Sequence, residues 1–247
     1  MSMLERSLYK KLDLHIHTSR SLCYSDMTVK PEQIINAAIA SRLDAIGITD
    51  HNTVEGIEDV RRLAEKENLV VFPGIELTTV GGHFLAIFEI GTSVIRLDKL
   101  LNDLGIARER RGDGVEQISG EVADIFKKVV EAEGVVIAAH IERWPSGFLE
   151  TKESRSTKMA IHASQHLSAL EITVAQNREL WNKGQMRGYP KKYACIQGSD
   201  AHAPDEVGRR PFLLRTEKVE LGALKSAFSQ WDNTITFPSA FDSLSSR

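Results

Sequence analysis

The chain has 247 residues, of which 42% are hydrophobic and 26% charged, the composition of an ordinary globular protein with one sizeable core. Its net charge of −3 gives no overall basic excess, so binding along a long nucleic-acid duplex is not expected. Two cysteines predict no disulfide framework, and the lack of a long apolar stretch or an apolar N-terminal segment favours a cytoplasmic protein without a membrane span.

Predicted strands and helices alternate from the N-terminus onward. A first strand is expected at Leu12–His17, and Pro31 is well suited to begin a helix whose apolar residues recur at helical spacing. Further strands are expected at Ala45–Thr49, Leu69–Phe72, His83–Ile90, Val135–Ala139, Leu170–Thr173, Tyr193–Gln197 and Thr234–Phe237. Further helices are expected at Val54–Ala64, Arg96–Leu104, Glu121–Glu133, Arg178–Gln185 and Lys218–Ser229.

This alternation predicts parallel βα units in an α/β protein. No repeat or linker divides the sequence, so we expect a single domain over residues 1–247. The polar stretch at about residues 144–168 is expected to form a loop or cap over the mouth of a cleft. It contains His162 and His166, for which surface or loop placement is expected and no role is assigned.

Metal-ligand residue types recur where predicted strands end. The motifs are Asp13-Leu14-His15-Ile16-His17, Thr49-Asp50-His51, Gly74-Ile75-Glu76, Ala139-His140 and Ser199-Asp200-Ala201-His202. Any one of them has a structural alternative, such as a buried histidine or a helix-capping turn. Side chains two apart on a strand point to the same side, so His15 and His17 can serve one site. Their joint occurrence predicts a multinuclear site for Zn, Mn or Fe.

These motifs resemble the PHP (polymerase and histidinol phosphatase) family of metal-dependent phosphoesterases, in family order and over most of the chain. The resemblance implies a distorted, TIM-like (β/α)7 barrel with the metal site at the C-terminal ends of the strands. It also implies two or three divalent metal ions, either manganese, zinc or iron, in a trinuclear site.

The resemblance further implies a ligand for each position. The first ion would be held by His15, His17, Glu76 and Asp200, the second by Glu76, His83 and His140, and the third by Asp26, His51 and His202. Asp13 and Asp50 would orient imidazoles from behind. A structural role stays open for His83 and for Asp26, which lies in a polar loop and could merely cap it.

Arg143 is the expected phosphate-binding residue outside the metal set. Some family members have His-Pro-x-Arg-Tyr where this chain has His140-Ile141-Glu142-Arg143-Trp144, so the arginine is in register but the proline is replaced. A guanidinium offers a planar fork of donors to a phosphate. The alternative is a solvated surface arginine. The run Arg108–Arg111 is more typical of a solvated helix face, and Arg209 and Arg210 are weaker phosphate candidates.

The function that follows is hydrolysis of phosphoester bonds by metal-activated water, with Asp50 and Arg143 as catalytic residues. The substrate is expected to be a small phosphorylated molecule, a nucleotide or short oligonucleotide. A histidinol-phosphate-type phosphomonoesterase and a non-catalytic metal-binding PHP module stay open as alternatives. An amidohydrolase-type C–N hydrolase is disfavoured because no lysine stands at a strand end. The region from Gly208 onward faintly resembles PHP domains attached to ATPase modules and suggests an ATPase partner.

Overall fold

The computed structural model describes residues 8–238 as strands joined by helices and turns. The strands are β1 (Tyr9–Ile16), β2 (Ala45–Ile48), β3 (Val70–Thr79), β4 (Gly82–Ile87), β5 (Val135–Ala138), β6 (Leu167–Glu171), β7 (Ala194–Ile196), β8 (Phe212–Arg215) and β9 (Ile235–Thr236). The α-helices are α1 (Pro31–Ala40), α2 (Ile57–Ala64), α3 (Val94–Asp103), α4 (Val122–Glu131), α5 (Arg155–Ala163), α6 (Arg178–Lys183) and α7 (Leu221–Ser229).

All of these strands belong to one sheet in the order β7-β6-β5-β4-β3-β2-β1-β8-β9. Strands β1, β2 and β3 are parallel, as are β5, β6 and β7, whereas β4 runs antiparallel between the two sets. The chain after β7 then pairs with the end of β1, where His17 N donates to Ala201 O at 3.0 Å and Ala201 N donates to His15 O at 3.3 Å. The sheet is therefore nearly closed, and the predicted TIM-like α/β barrel is confirmed.

Strands β2 and β5 are apolar throughout because both of their faces are covered. Their sequences are Ala-Ile-Gly-Ile and Val-Val-Ile-Ala, and every one of these residues is buried. Such continuous apolar runs are typical of parallel strands packed between a barrel interior and outer helices. Gly47 permits the close approach of β1, since a Cβ atom there would lie 2.6 Å from Leu14 O. This packing holds the strand ends, and the side chains they carry, in a fixed register.

The structure differs from the predicted elements in three places. Strand β8 is absent from the prediction, and β4 lies antiparallel where a parallel unit was expected. The expected loop or cap at about 144–168 contains α5, whose first turn is capped by Ser154 Oγ accepting from Thr157 N. Only Ile161 and His162 of α5 are buried, so its sequence carries no clear apolar stripe. None of the helices within residues 8–238 combines the length and apolar character that crossing a bilayer requires.

His162 is the residue that this helix places differently from expectation. It is 1% exposed and its ring packs against Trp181, Tyr189 and Tyr193, with centroid distances of 5.0–5.7 Å. The expected surface position was therefore wrong for His162. Burial lowers its pKa to about 4, so it is neutral in the folded protein. His166 is half-buried near the start of β6.

Candidate metal centre

The C-terminal edge of the barrel brings together the side chains of five separate motifs. His15 lies among the last residues of β1 and His17 directly follows it, while His51, His140 and Asp200 lie within four residues of the ends of β2, β5 and β7. Glu76 lies within the long β3, and His83 begins the antiparallel β4, so its side chain lies at the same edge. His140 and Asp200 have backbone φ angles of 27° and 49°, a left-handed conformation that is costly for residues other than glycine and clusters at functional sites.

Glu76 occupies the centre of this cluster and is completely buried. Its Oε2 atom lies 3.2 Å from His15 Nε2, 3.1 Å from His17 Nε2 and 3.1 Å from His51 Nδ1. Its Oε1 atom lies 2.9 Å from His83 Nδ1 and 3.0 Å from His140 Nε2. One carboxylate thus faces five imidazoles, so its two oxygen atoms cannot pair with all five ring nitrogens through hydrogen bonds alone.

Asp200 joins the same cluster from the opposite side. Its Oδ1 atom lies 3.2 Å from His15 Nε2 and 3.1 Å from His17 Nε2. His202 turns its Nδ1 atom to the backbone oxygen of Asp200 at 2.9 Å, which directs its Nε2 atom to Cys23 Sγ at 3.1 Å. Arg143 Nη1 donates to Asp200 Oδ2, so the guanidinium reaches the edge of the cluster.

The donor atoms form three groups, each compact enough to surround one ion. The groups are His15, Glu76, His140 and Asp200; His51, Glu76 and His83; and His17, His51 and His202. Glu76 Oε2 and His51 Nδ1 are buried and lack a hydrogen-bond partner in the structure. Buried polar atoms without partners are costly in a native protein unless an ion or water satisfies them. The residues therefore fit two or three divalent cations.

The environment shifts the ionisation of these groups in opposite directions. Burial raises the pKa of Glu76, but the surrounding imidazoles of His51 and His15 outweigh it and hold that pKa well below its usual range. Burial lowers the pKa of His17, but the carboxylates of Asp200 and Glu76, each 3.1 Å from its Nε2 atom, raise it overall to about 9. Burial lowers the pKa of His51 to about 3, so its imidazole is neutral and free to coordinate.

Two supporting residues that the sequence analysis did not identify fix the histidines of β1. Glu171, at the end of β6, accepts from His15 Nδ1 at 2.8 Å through Oε2 and from the backbone N of His140 at 3.2 Å through Oε1. Ser21 Oγ accepts from His17 Nδ1 at 2.9 Å and donates to Asp50 Oδ1 at 2.7 Å. Both histidines thus present Nε2 to the centre. The sequence feature that could have identified Glu171 is its position as an acidic residue inside an otherwise apolar predicted strand.

The acidic residues Asp13 and Asp50 have other contacts than expected. Asp13 accepts from the backbone N atoms of Ser199 at 3.0 Å and Gly208 at 2.9 Å, so it fixes the chain after β7 and orients no imidazole directly. Asp50 is buried and accepts from Thr18 N and Thr18 Oγ1, both at 2.7 Å, and reaches His17 through Ser21. The expected role of orienting an imidazole is wrong for Asp13, whereas Asp50 reaches the imidazole of His17 through Ser21.

Asp26 lies apart from the three groups. It is exposed, and its Oδ1 atom accepts from Thr28 N at 2.8 Å and Thr28 Oγ1 at 2.7 Å. The capping alternative considered for this residue matches that geometry. Cys23, in the same loop, has its Sγ atom 3.1 Å from His202 Nε2.

Arg143 alone among the candidate arginines reaches the metal-ligand set in the described part of the chain. Arg210 Nη2 donates to the backbone oxygens of Ile172 and Thr173 at 3.0 and 2.9 Å, and Arg209 pairs with Glu206 at the surface. In the run Arg108–Arg111, three arginines pair with Asp98 or Glu116. These arginines are held by the protein itself.

Comparisons with known proteins agree with this architecture. The model of the PHP domain family matches residues 13–99, which carry the motifs from Asp13 to Glu76. The 5'-3' exoribonuclease of Haemophilus influenzae is 27% identical over 143 residues, covering 55% of this chain and 50% of that protein. The chain thus spans about half the length of the curated relatives that it matches.

Solved structures show the same fold over nearly the whole chain. The lesion-specific endonuclease PfuEndoQ from Pyrococcus furiosus superposes with a TM-score of 0.67 at 17% identity, covering 92% of this chain and 57% of that one. A two-domain protein from Bacteroides vulgatus, containing a predicted PHP-like metal-dependent phosphoesterase, gives a TM-score of 0.63 at 19% identity, covering 93% and 65%. The resemblance stated from the motifs is confirmed.

Proposed function

We propose that this PHP-domain protein is a metal-dependent phosphoesterase that hydrolyses nucleotides or short oligonucleotides. The observation that carries the proposal is the single buried carboxylate of Glu76, which faces five imidazoles at the C-terminal edge of a barrel. Such convergence of imidazoles on one buried carboxylate is the donor set of a multinuclear site.

Some of these residues would bind the ions, and another would bind the substrate. His15, His17, Glu76 and Asp200 would hold the first ion, and Glu76, His83 and His140 the second. Bound ions supply Lewis-acid activation of water and neutralise charge on a phosphate. Glu171 would keep the proton of His15 on Nδ1, so that Nε2 stays available.

Arg143 would bind the substrate phosphate. Its guanidinium lies beside Asp200, at the boundary between the metal cluster and solvent, with 40% of its side chain exposed. With Asp200 engaged as a metal ligand, the guanidinium of Arg143 would be available to an incoming phosphate. A planar fork of N–H donors then fits two phosphate oxygens. Asp50 would support the site through Ser21 and His17, without contacting substrate.

A nucleotide or short oligonucleotide is the substrate class that best fits the charges and the relatives together. A matched relative is a 5'-3' exoribonuclease, and a protein of the same fold is a lesion-specific endonuclease. The candidate arginines other than Arg143 are already paired with carboxylates or carbonyl oxygens, and the net charge is −3. A long duplex needs many phosphate contacts, whereas a short substrate needs few.

The test is Mn²⁺-dependent hydrolysis of p-nitrophenyl phosphate and bis-p-nitrophenyl phosphate by the full chain. Asp200→Ala removes a buried ligand, and Asp205→Ala removes an exposed carboxylate five residues further on as the matched control. We expect the turnover of Asp200→Ala to fall by more than the ~10- to 100-fold typical when a residue that only supports a metal ligand is lost. Asp205→Ala should keep full turnover.

The same assay separates the alternatives. Preference for the monoester would favour a histidinol-phosphate-type phosphomonoesterase, and preference for the diester would favour an oligonucleotide substrate. Metal-dependent melting without turnover of either compound or of short oligonucleotides would contradict the proposal in favour of a non-catalytic module. The cytoplasmic location and the ATPase partner stay predictions, which fractionation and co-purification would test.

A further inference from the structure

In the group formed by His17, His51 and His202, only His51 and His202 are not also assigned to the first ion. His17 Nδ1 is engaged by Ser21, and its Nε2 atom lies 3.2 Å from His15 Nε2, among the ligands of the first ion. One nitrogen cannot serve two ions, so His51 and His202 remain. The acidic residue expected to complete this group, Asp26, is exposed and hydrogen-bonded to Thr28.

The two remaining histidines have nitrogens that need a partner. His51 is 5% exposed, and its Nδ1 atom lacks a hydrogen bond in the structure. The opposite edge of its ring faces Gly114, where a Cβ atom would lie 2.8 Å from Nε2, so Nδ1 is the atom that faces the cluster. His202 has its Nδ1 atom committed to the backbone of Asp200, which directs Nε2 outward to Cys23.

The loop that carries Cys23 is fixed on both sides. Leu22 N donates to Gly112 O at 2.8 Å, and Ser25 N and Oγ donate to His202 O at 3.0 and 2.7 Å. Gly112 N in turn donates to His51 O at 2.9 Å. The loop is therefore attached to the backbone of both histidines, and Cys23 Sγ lies 3.1 Å from His202 Nε2 as a consequence of that attachment.

We propose that Cys23 is a metal ligand, which joins His51 and His202 in holding the third ion in place of Asp26. The inference rests on the proposed metal-dependent function and assigns one ligand that the family resemblance did not. On binding, the Sγ–H proton passes to solvent and the thiolate forms the bond to the ion. Three protein ligands of this kind leave a position open for water or substrate.

A sulfur ligand makes this position selective. Thiolates favour borderline-soft ions such as Zn²⁺, Fe²⁺ and Co²⁺, whereas Mn²⁺ and Mg²⁺ prefer oxygen. The third ion should therefore differ in preference from the first, which has two carboxylates among its ligands. Manganese is expected to fill the first two positions and leave the third weakly occupied, and zinc to fill all three.

Cobalt titration of the metal-free full chain tests the assignment. Visible d–d absorption reports bound cobalt of any kind, and near-ultraviolet thiolate-to-cobalt charge transfer reports a sulfur ligand. The variants are Cys23→Ser, with Cys195→Ser as the matched control, because Cys195 is the second cysteine and is buried in β7. Asp26→Asn tests the rival ligand, and Cys23→Asp offers an oxygen in place of sulfur.

We expect the charge-transfer band in the wild type, Cys195→Ser and Asp26→Asn. Cys23→Ser should lose the band and should bind one equivalent of cobalt fewer than the wild type. Cys23→Asp should recover the equivalent without the band. Visible absorption without the charge-transfer band in the wild type, or a band that persists in Cys23→Ser, would overturn the assignment while leaving the proposed function intact. Absence of any bound cobalt would overturn both.

Discussion

Glu171 offers the sharpest test of how the protein prepares the first metal position. Its carboxylate is 1% exposed and accepts two hydrogen bonds, from His15 Nδ1 at 2.8 Å and from His140 N at 3.2 Å. Burial raises the pKa of Glu171, but the neighbouring His15 outweighs burial and lowers it, so the carboxylate is charged. Glu171→Gln keeps the shape of the side chain and removes the charge.

The amide of the variant cannot satisfy both donors. If its oxygen accepts from His15 Nδ1, its NH₂ group faces the N–H of His140, and a buried donor is left unpaired at a cost of about 1–3 kcal/mol. If the amide is reversed, its NH₂ group faces His15 Nδ1 and shifts the imidazole proton to Nε2, the atom that should bind the ion. Loss of such a supporting contact typically costs ~10- to 100-fold in metal affinity or activity.

The assay is metal titration by calorimetry together with kcat/KM at saturating Mn²⁺. Glu142→Gln is the matched control, because that carboxylate accepts from Thr173 N at 2.9 Å, Thr173 Oγ1 at 3.1 Å and Asn177 Nδ2 at 2.8 Å without touching a metal-ligand histidine. Both variants should be less stable than the wild type, and Glu171→Gln alone should bind the first ion ~10- to 100-fold more weakly. Equal metal affinity in Glu171→Gln and wild type would refute the reasoning.

Further outcomes are expected. Arg143→Ala should lower kcat/KM by about 10- to 150-fold through loss of about 1.5–3 kcal/mol of charged hydrogen bonding, with partial retention in Arg143→Lys; unchanged kinetics would exclude the phosphate contact. Removal of the metal by a chelator should lower Tm by about 5–11 °C relative to protein with the ion at 100 times its Kd, as measured by scanning calorimetry. The pKa of His17 is raised to about 9 in the metal-free protein, so the stabilisation from its protonation is fully present below pH 6.5 and is lost as the pH rises toward 9. Urea unfolding across that pH range measures the loss. Metal binding at pH 7.5 should then release protons, measured by calorimetry in two buffers. Gly114→Ala should displace the His51 ring, since the new Cβ would lie 2.8 Å from it, and lower third-ion occupancy by metal analysis without affecting the first.

The local parts of the site could be predicted from sequence because local spacing determines them. His15 and His17 are two residues apart on a strand, so a strand of any register places both on one side. The alternation of apolar strands with amphipathic helices determined the α/β class, and the C-terminal ends of parallel strands meet at one edge. Pro31 fixed the start of α1 through its own backbone geometry. These features need no contact between distant parts of the chain.

Tertiary structure decided which side chains actually meet at that edge. Glu171 and His15 are 156 residues apart, and their contact depends on how β6 packs beside the closing β7–β1 junction. Asp26 and Cys23 stand in the same short loop, and only the attachment of that loop to His202 brings the thiol to the cluster and leaves the carboxylate in solvent. Loop conformations and long-range hydrogen bonds have no periodicity in the sequence, so local patterns determine the strands and the chemistry available, while packing determines which groups come together.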